Sequence, residues 1–172
     1  MTPDGQKLVR VGGHKTLPSL IVFTGGEPAL QLDDLLIRTI KSIWGGYGIP
    51  VRTAIETNGT ASLENCRREL DWITCSPKCL DGKWYPPVIH YCDELKIIIG
   101  PDDDLPKAKF TIQVGLNNEA RDTRKWISPM TDPTKEGPDA FVKESLDRCI
   151  QIVKENPGWR ISLQSHKILQ VR

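Results

Sequence analysis

The sequence predicts an α/β fold on a parallel sheet, and three observations carry that expectation. Short apolar, β-branched runs recur along the chain, as in strands buried on both faces. Stretches with helical spacing of apolar residues separate several of them, and such alternation implies right-handed βαβ units. Polar motifs follow the strands, where an α/β sheet gathers its ligand-binding loops.

The elements follow in order. Residues 1–18 carry Gly5, Gly12 and Gly13 without periodicity and read as a loop entering a strand. Residues 20–24, Leu-Ile-Val-Phe-Thr, form the first strand. Leu32, Leu35, Leu36, Ile40 and Ile43 make a helical stripe over residues 32–44, closed by Gly45 and Gly46. Residues 51–55 are the next strand, ended by Asn58-Gly59, and Ser62 caps a helix through Leu70. Residues 72–75 and 94–99 are strands. Past Gly100, residues 101–104 make a surface turn, residues 110–114 a strand, and Trp126-Ile127 a short strand. Residues 139–154 are a helix with Phe141, Val142, Leu146, Ile150 and Val153 inward, and residues 159–163 are the last strand. The organisation expected is an N-terminal loop over residues 1–17 and one α/β domain over residues 18–172.

Length and composition bound the function. A chain of 172 residues suffices for one domain burying about two-thirds of its unfolded surface. Lys plus Arg number 23 and Asp plus Glu 22, a net charge of +1. That balance argues against a nucleic-acid binder working through a broad basic field. No apolar run approaches the roughly 20 residues of a membrane helix, and the first 17 residues lack the apolar core of a secretory signal. The five cysteines, Cys66, Cys75, Cys79, Cys92 and Cys149, are odd in number and irregular in spacing. Reduced thiols in a cytoplasmic protein are the expectation.

The strand-end motifs carry the chemistry. In Thr24-Gly25-Gly26-Glu27-Pro28 two glycines allow close approach of a ligand to the backbone, and Glu27 suits a cationic group such as an ammonium. A tight strand-to-helix turn capped by Glu27 is the alternative. In Glu56-Thr57-Asn58-Gly59 a turn explains Asn58 and Gly59, whereas Glu56 at a strand end needs a partner. Ser76-Pro77-Lys78 offers a hydroxyl and an ammonium, but on its own it reads more readily as a solvated turn. Ser128-Pro129-Met130 and Gln164-Ser165-His166-Lys167 follow the last two strands.

Taken in order, these motifs resemble the 7-carboxy-7-deazaguanine synthases, radical S-adenosylmethionine enzymes of deazapurine and queuosine biosynthesis. The resemblance spans roughly residues 18–172. It rests on residues 23–31 (Phe-Thr-Gly-Gly-Glu-Pro-Ala-Leu-Gln), 55–60 (Ile-Glu-Thr-Asn-Gly-Thr), 73–78 (Ile-Thr-Cys-Ser-Pro-Lys), 93–96 (Asp-Glu-Leu-Lys) and 159–167 (Trp-Arg-Ile-Ser-Leu-Gln-Ser-His-Lys). It implies a partial parallel β/α barrel of the radical S-adenosylmethionine type with its first strand missing. It implies conversion of 6-carboxy-5,6,7,8-tetrahydropterin to 7-carboxy-7-deazaguanine by radical ring contraction with loss of ammonia. The cofactors implied are S-adenosylmethionine, a [4Fe–4S] cluster and Mg²⁺. The partners implied are the pterin substrate, a reductant such as flavodoxin, and a second copy in a homodimer, with neither nucleic acid nor membrane. Gly25, Gly26, Glu27, Ser76, Pro77, Lys78, Ser128, Pro129, Met130 and Thr131 would bind the cofactor, with Glu27 on its ammonium. Thr24, Glu56, His166 and the terminal carboxylate of Arg172 would contact the substrate.

The sequence departs from the family at the cluster. Family members hold it with a Cys-x3-Cys-x2-Cys loop ahead of the Gly-Gly-Glu strand, and here no cysteine precedes Cys66. Cys75 and Cys79 have the first spacing, but Gly82 stands where the third cysteine would. The expectation is the body of the enzyme without its N-terminal cluster segment, exposing an aggregation-prone sheet edge beside residues 20–24. Two alternatives stand beside it. One is a non-catalytic remnant binding a pterin or S-adenosylmethionine. The other is a small zinc protein using Cys75, Cys79, His90 and Cys92.

Overall fold

The computed structural model describes residues 19–80, 83–84, 87–89, 91–105, 113–114, 124–135 and 137–164. The expected N-terminal loop, His90, His166 and Arg172 lie outside these residues, as does the side chain of Cys79.

Six strands form one parallel sheet whose spatial order follows the chain. They are β1 (Ser19–Phe23), β2 (Val51–Thr57), β3 (Trp72–Cys75), β4 (Glu94–Ile99), β5 (Lys125–Pro129) and β6 (Arg160–Ile161). Parallel neighbours joined in chain order by crossovers of one hand leave the helices on a single face. Helix α1 (Asp34–Gly46) and helix α2 (Lys143–Glu155) cover that face. Ile37 of α1 and Cys149 and Ile152 of α2 share one buried cluster with Ile55, Ile73, Cys75, Leu95, Ile97, Ile99 and Ile127.

The register divides the sheet into two chemically different faces. Phe23 aligns with Ile55, Ile55 with Ile73, Cys75 with Leu95, and Ile97 with Ile127, the row beneath the helices. The alternate row runs Glu56–Thr74–Glu94, with Lys96 beside Trp126 and Ile98 beside Ser128. Because strand side chains alternate with period two, this second face is polar and aromatic. Arg124 stacks over Trp72 at 4.8 Å and Arg160 over Trp126 at 5.9 Å. The α/β expectation therefore holds, with the sheet open between β1 and β6 among the described residues. At one edge β1 pairs with β2, and Leu20 and Val22 are exposed there.

Local chemistry sets the helix boundaries. Asp33 caps α1, its carboxylate accepting from the Leu36 N–H at 2.7 Å. Ser145 in α2 is buried; its hydroxyl donates to the Ile99 carbonyl and accepts from the Met130 N–H at 2.8 Å, tying α2 to the ends of β4 and β5.

Three expectations are corrected. The Ser62 helix is absent: the Ser62 hydroxyl accepts from the Glu64 N–H in a local turn. Only a 3-10 turn, Arg67–Glu69, forms there, held by Lys41 and Thr53, which both donate to the Glu69 carbonyl. In α1, Ile37 is the buried residue while Leu35, Leu36 and Ile43 are exposed. The capped start at Asp33 turns the sheet-facing side one position from the expected stripe. The third helix expectation began at Asp139, but a 3-10 turn (Gly137–Ala140) precedes α2. That break rotates Ser145, Cys149 and Ile152 inward and leaves Ile150 exposed.

Candidate functional site

The carboxyl ends of the strands surround a cleft of about 540 Å³, a size typical of small-ligand sites. Each strand and its following loop contribute. Thr24, Gly25 and Gly26 come from the β1 loop, and Glu56, Thr57 and Asn58 from the end of β2. Thr74, Ser76 and Lys78 come from β3 and beyond, Lys96 and Ile98 from β4. Ser128, Pro129, Met130 and Thr131 come from β5 and its loop, and Gln164 follows β6. A larger groove of about 760 Å³ lies at the start of α2, between Lys135, Asp139, Phe141 and Leu163. It draws only on the connection after β5, the start of α2 and Leu163 after β6, whereas the smaller cleft gathers residues from all six strand ends and is the candidate site.

The glycine loop is built for close approach. Gly25 and Gly26 adopt φ of 89° and 55°, a region that penalises any side chain. Nothing lies within 4 Å of where a Cβ would stand on either. The space above this loop is open to a ligand.

Glu27 lies beneath the loop and not on the cleft wall. One carboxylate oxygen accepts from the Ala29 N–H at 3.1 Å and the Thr57 hydroxyl at 2.6 Å; the other accepts from the Asn58 N–H at 2.8 Å. It thereby caps the 3-10 turn Pro28–Leu30 and pins the β1 loop to the β2 loop. The expected contact of Glu27 with a ligand ammonium is therefore not seen in the cleft lining, and its three bonds fasten the loop instead.

The remaining polar groups converge from separate strands. Thr24 donates to Glu56 at 3.2 Å across the cleft floor, and Ser128 donates to the Ser162 carbonyl at 2.9 Å. Thr74 accepts from the Trp72 indole at 3.1 Å. The side-chain oxygen of Gln164 is buried and has no hydrogen-bond partner among the described residues. Below the cleft, Asp93 accepts from the Ile73 N–H at 2.8 Å and from the Tyr91 hydroxyl, and Arg124 lies 3.8 Å away.

Burial raises the Glu94 carboxyl above its usual 4.5, Lys96 and Arg124 oppose the rise, and Glu56 adds to it. A carboxyl raised by folding favours the folded state most below its unfolded value, and that contribution is lost as pH rises through the folded value. Glu94→Gln, which mimics the protonated form, is expected to melt above the wild type at pH 7. The advantage should vanish as pH falls below the ordinary carboxyl value, as measured by thermal denaturation across pH.

The four described cysteines are buried free thiols, and the His90 and Cys79 side chains of the zinc alternative lie outside the described residues. Burial pushes up the thiols of Cys66, Cys75, Cys92 and Cys149, Cys92 to about 12 and Cys149 to about 11. Among the described residues no group of three or more His, Cys, Asp or Glu could hold an ion. No described helix is long and apolar enough to cross a membrane.

Of the expected site residues, Thr24, Gly25, Gly26, Glu56, Ser76, Lys78, Ser128, Pro129, Met130 and Thr131 all line the cleft. Pro77 is fully buried next to it. Sequence reasoning passed over Thr57, Asn58, Thr74, Lys96, Ile98 and Gln164 as wall residues. The alternation Glu94-Leu95-Lys96 inside an apolar strand is the signal that marks Lys96.

Fold and site together define the class: a parallel α/β protein with a polar small-ligand cleft at the carboxyl edge of its sheet. No protein-family model matches the chain. It is 35% identical over 153 residues to the 7-carboxy-7-deazaguanine synthase of Burkholderia multivorans, covering 88% of this chain and 59% of that protein. The Bradyrhizobium diazoefficiens synthase is 36% identical with the same two coverages. That of Bordetella pertussis is 32% identical, covering 92% of this chain and 62% of its own length. The chain is thus a relative of the 7-carboxy-7-deazaguanine synthases along nearly all its length, and it spans about three-fifths of theirs.

Proposed function

We propose that the chain, as one domain over residues 18–172, is the greater part of a 7-carboxy-7-deazaguanine synthase on a truncated radical-enzyme β/α barrel. It would act in the cytoplasm on 6-carboxy-5,6,7,8-tetrahydropterin, as a carbon–nitrogen lyase. A reductant such as flavodoxin and a second copy of the chain are its proposed partners. The observation that carries this reading is the convergence of the family-like motifs, distant in sequence, on one cleft.

S-adenosylmethionine fits the residues present. The open space over Gly25 and Gly26 and the unpartnered oxygen of Gln164 are the features a bound nucleoside and amino acid would use. Gly25, Gly26, Ser76, Lys78, Ser128, Met130 and Thr131 would hold it. When bound with its cluster, the cofactor supplies one-electron hydrogen abstraction. The [4Fe–4S] cluster and Mg²⁺ do not fit the described residues, which offer no ligand set.

The chain's own residues position and shield. A reactive radical is managed by orientation and exclusion of water more than by charge stabilisation. Glu27 fixes the glycine loop, Thr24 orients the Glu56 carboxylate toward the substrate, and Ser128 is locked by its bond to Ser162.

The test is equilibrium binding of S-adenosylmethionine and 6-carboxytetrahydropterin to the purified chain, followed by anaerobic turnover with dithionite once a segment carrying the family's three-cysteine loop is supplied and loaded with iron and sulfide. Both compounds are expected to bind, and mass spectrometry should detect the product that has lost ammonia only when that segment is present. Ligand binding without that product, the segment being present, overturns the catalytic reading. Failure to bind either compound overturns the assignment altogether.

A further inference from the structure

Two polar atoms of the cleft wall, the Lys96 Nζ and the Gln164 side-chain oxygen, make no hydrogen bond among the described residues. Lys96 is half-buried on β4, the fourth of six strands, and makes no hydrogen bond or ion pair there. Glu94, two residues earlier on the same face, senses its charge but lies beyond ion-pair contact. A lysine drawn out of water is normally paired, whereas Lys78, the other lysine of the cleft, is exposed and needs no partner. Gln164 carries the second open valence: its side-chain oxygen is buried, unpaired and at the same cleft. A buried acceptor without a donor is destabilising, and a ligand N–H would satisfy it.

We propose that Lys96 and Gln164 are the specificity-determining pair of the cleft: Lys96 holds a ligand carboxylate, and Gln164 accepts an N–H from the same ligand. The pair selects a compound presenting an acid group and an N–H donor on one scaffold. This rests on the cleft being the ligand site proposed above. Two compounds of that reading fit the description, the pterin carboxylic acid and the amino-acid end of S-adenosylmethionine.

Equilibrium binding of four probes separates the sources. Pterin-6-carboxylic acid is compared with pterin, and S-adenosylmethionine with decarboxylated S-adenosylmethionine, the second of each pair lacking only the carboxylate. Lys96→Met is expected to weaken the acid of one pair about tenfold or more while sparing its acid-free partner. Lys96→Arg, which keeps the charge, should retain most of the affinity. Unchanged binding of the acid-free partner shows that the variant is folded. The pair that loses identifies the source. Gln164→Met should weaken both members of that same pair several-fold.

Equal losses for acid and acid-free probes, or none, overturn the Lys96 assignment and leave the proposed function standing. A Gln164 effect confined to the other pair, or absent, overturns the shared ligand. Failure of the wild type to bind any probe instead overturns the proposed function, and this inference with it.

Discussion

Glu27→Ala is expected to remove about 3 kcal/mol of stability, because three donors lose a charged acceptor at once. For a chain of this size that corresponds to a fall in Tm of roughly 6–12 °C. The Ala29 and Asn58 N–H groups and the Thr57 hydroxyl all point at this carboxylate. Aspartate is one methylene short of reaching them. Glutamine keeps one oxygen but turns an amide N–H₂ toward a donor, so Glu27→Gln should recover only part of the loss. The same change should weaken ligand binding, since the glycine loop would no longer be fastened to β2. Thermal melting and probe binding measured on one set of variants check both effects. Full stability in Glu27→Ala would show that the loop is held by other contacts.

The second large effect is expected at Gly59. Its φ is +79°, and an added Cβ would stand 2.5 Å from the Pro87 Cβ and 2.9 Å from the Cys75 Sγ. Left-handed strain costs an alanine about 1–2 kcal/mol, and overpacking a filled core adds about 1–3 kcal/mol. Gly59→Ala should therefore lose about 2–5 kcal/mol, much of the total for a domain. Gly48 separates the two causes: its φ is +72°, yet nothing lies within 4 Å of its Cβ position. Gly48→Ala should bear only the torsional cost of about 1 kcal/mol. Denaturant midpoints of the two variants measure the difference, and equal losses would refute the packing contribution.

Much of the fold is legible in residues 20–24, 51–55, 72–75 and 94–99, where β-branched runs bounded by polar turns admit little but a buried strand. The helices are less legible, because their stripes depend on where the first turn is capped. Asp33 and the break at Ala140 set those phases, and neither outweighs the leucines and isoleucines in a periodicity count. The strand-end rule located most of the cleft because parallel strands converge their loops at one edge. It overlooked Thr74 and Lys96, which sit within strands and reach the cleft by pointing away from the helices. The partners of Glu27 lie about thirty residues on, at Thr57 and Asn58, and only the folded register brings them beneath the loop.

The division of the sheet into an apolar face and a polar face bears on how this protein can diverge. Alternate residues of each strand answer to different pressures: Leu95, Ile97 and Ile99 to packing under the helices, Lys96 and Ile98 to whatever occupies the cleft. Ligand preference can therefore drift through one set while the other stays fixed. A saturation scan along β4 should show tolerance rising and falling with a period of two, out of phase for folding and for binding. A scaffold so divided can change its chemistry without renegotiating its core.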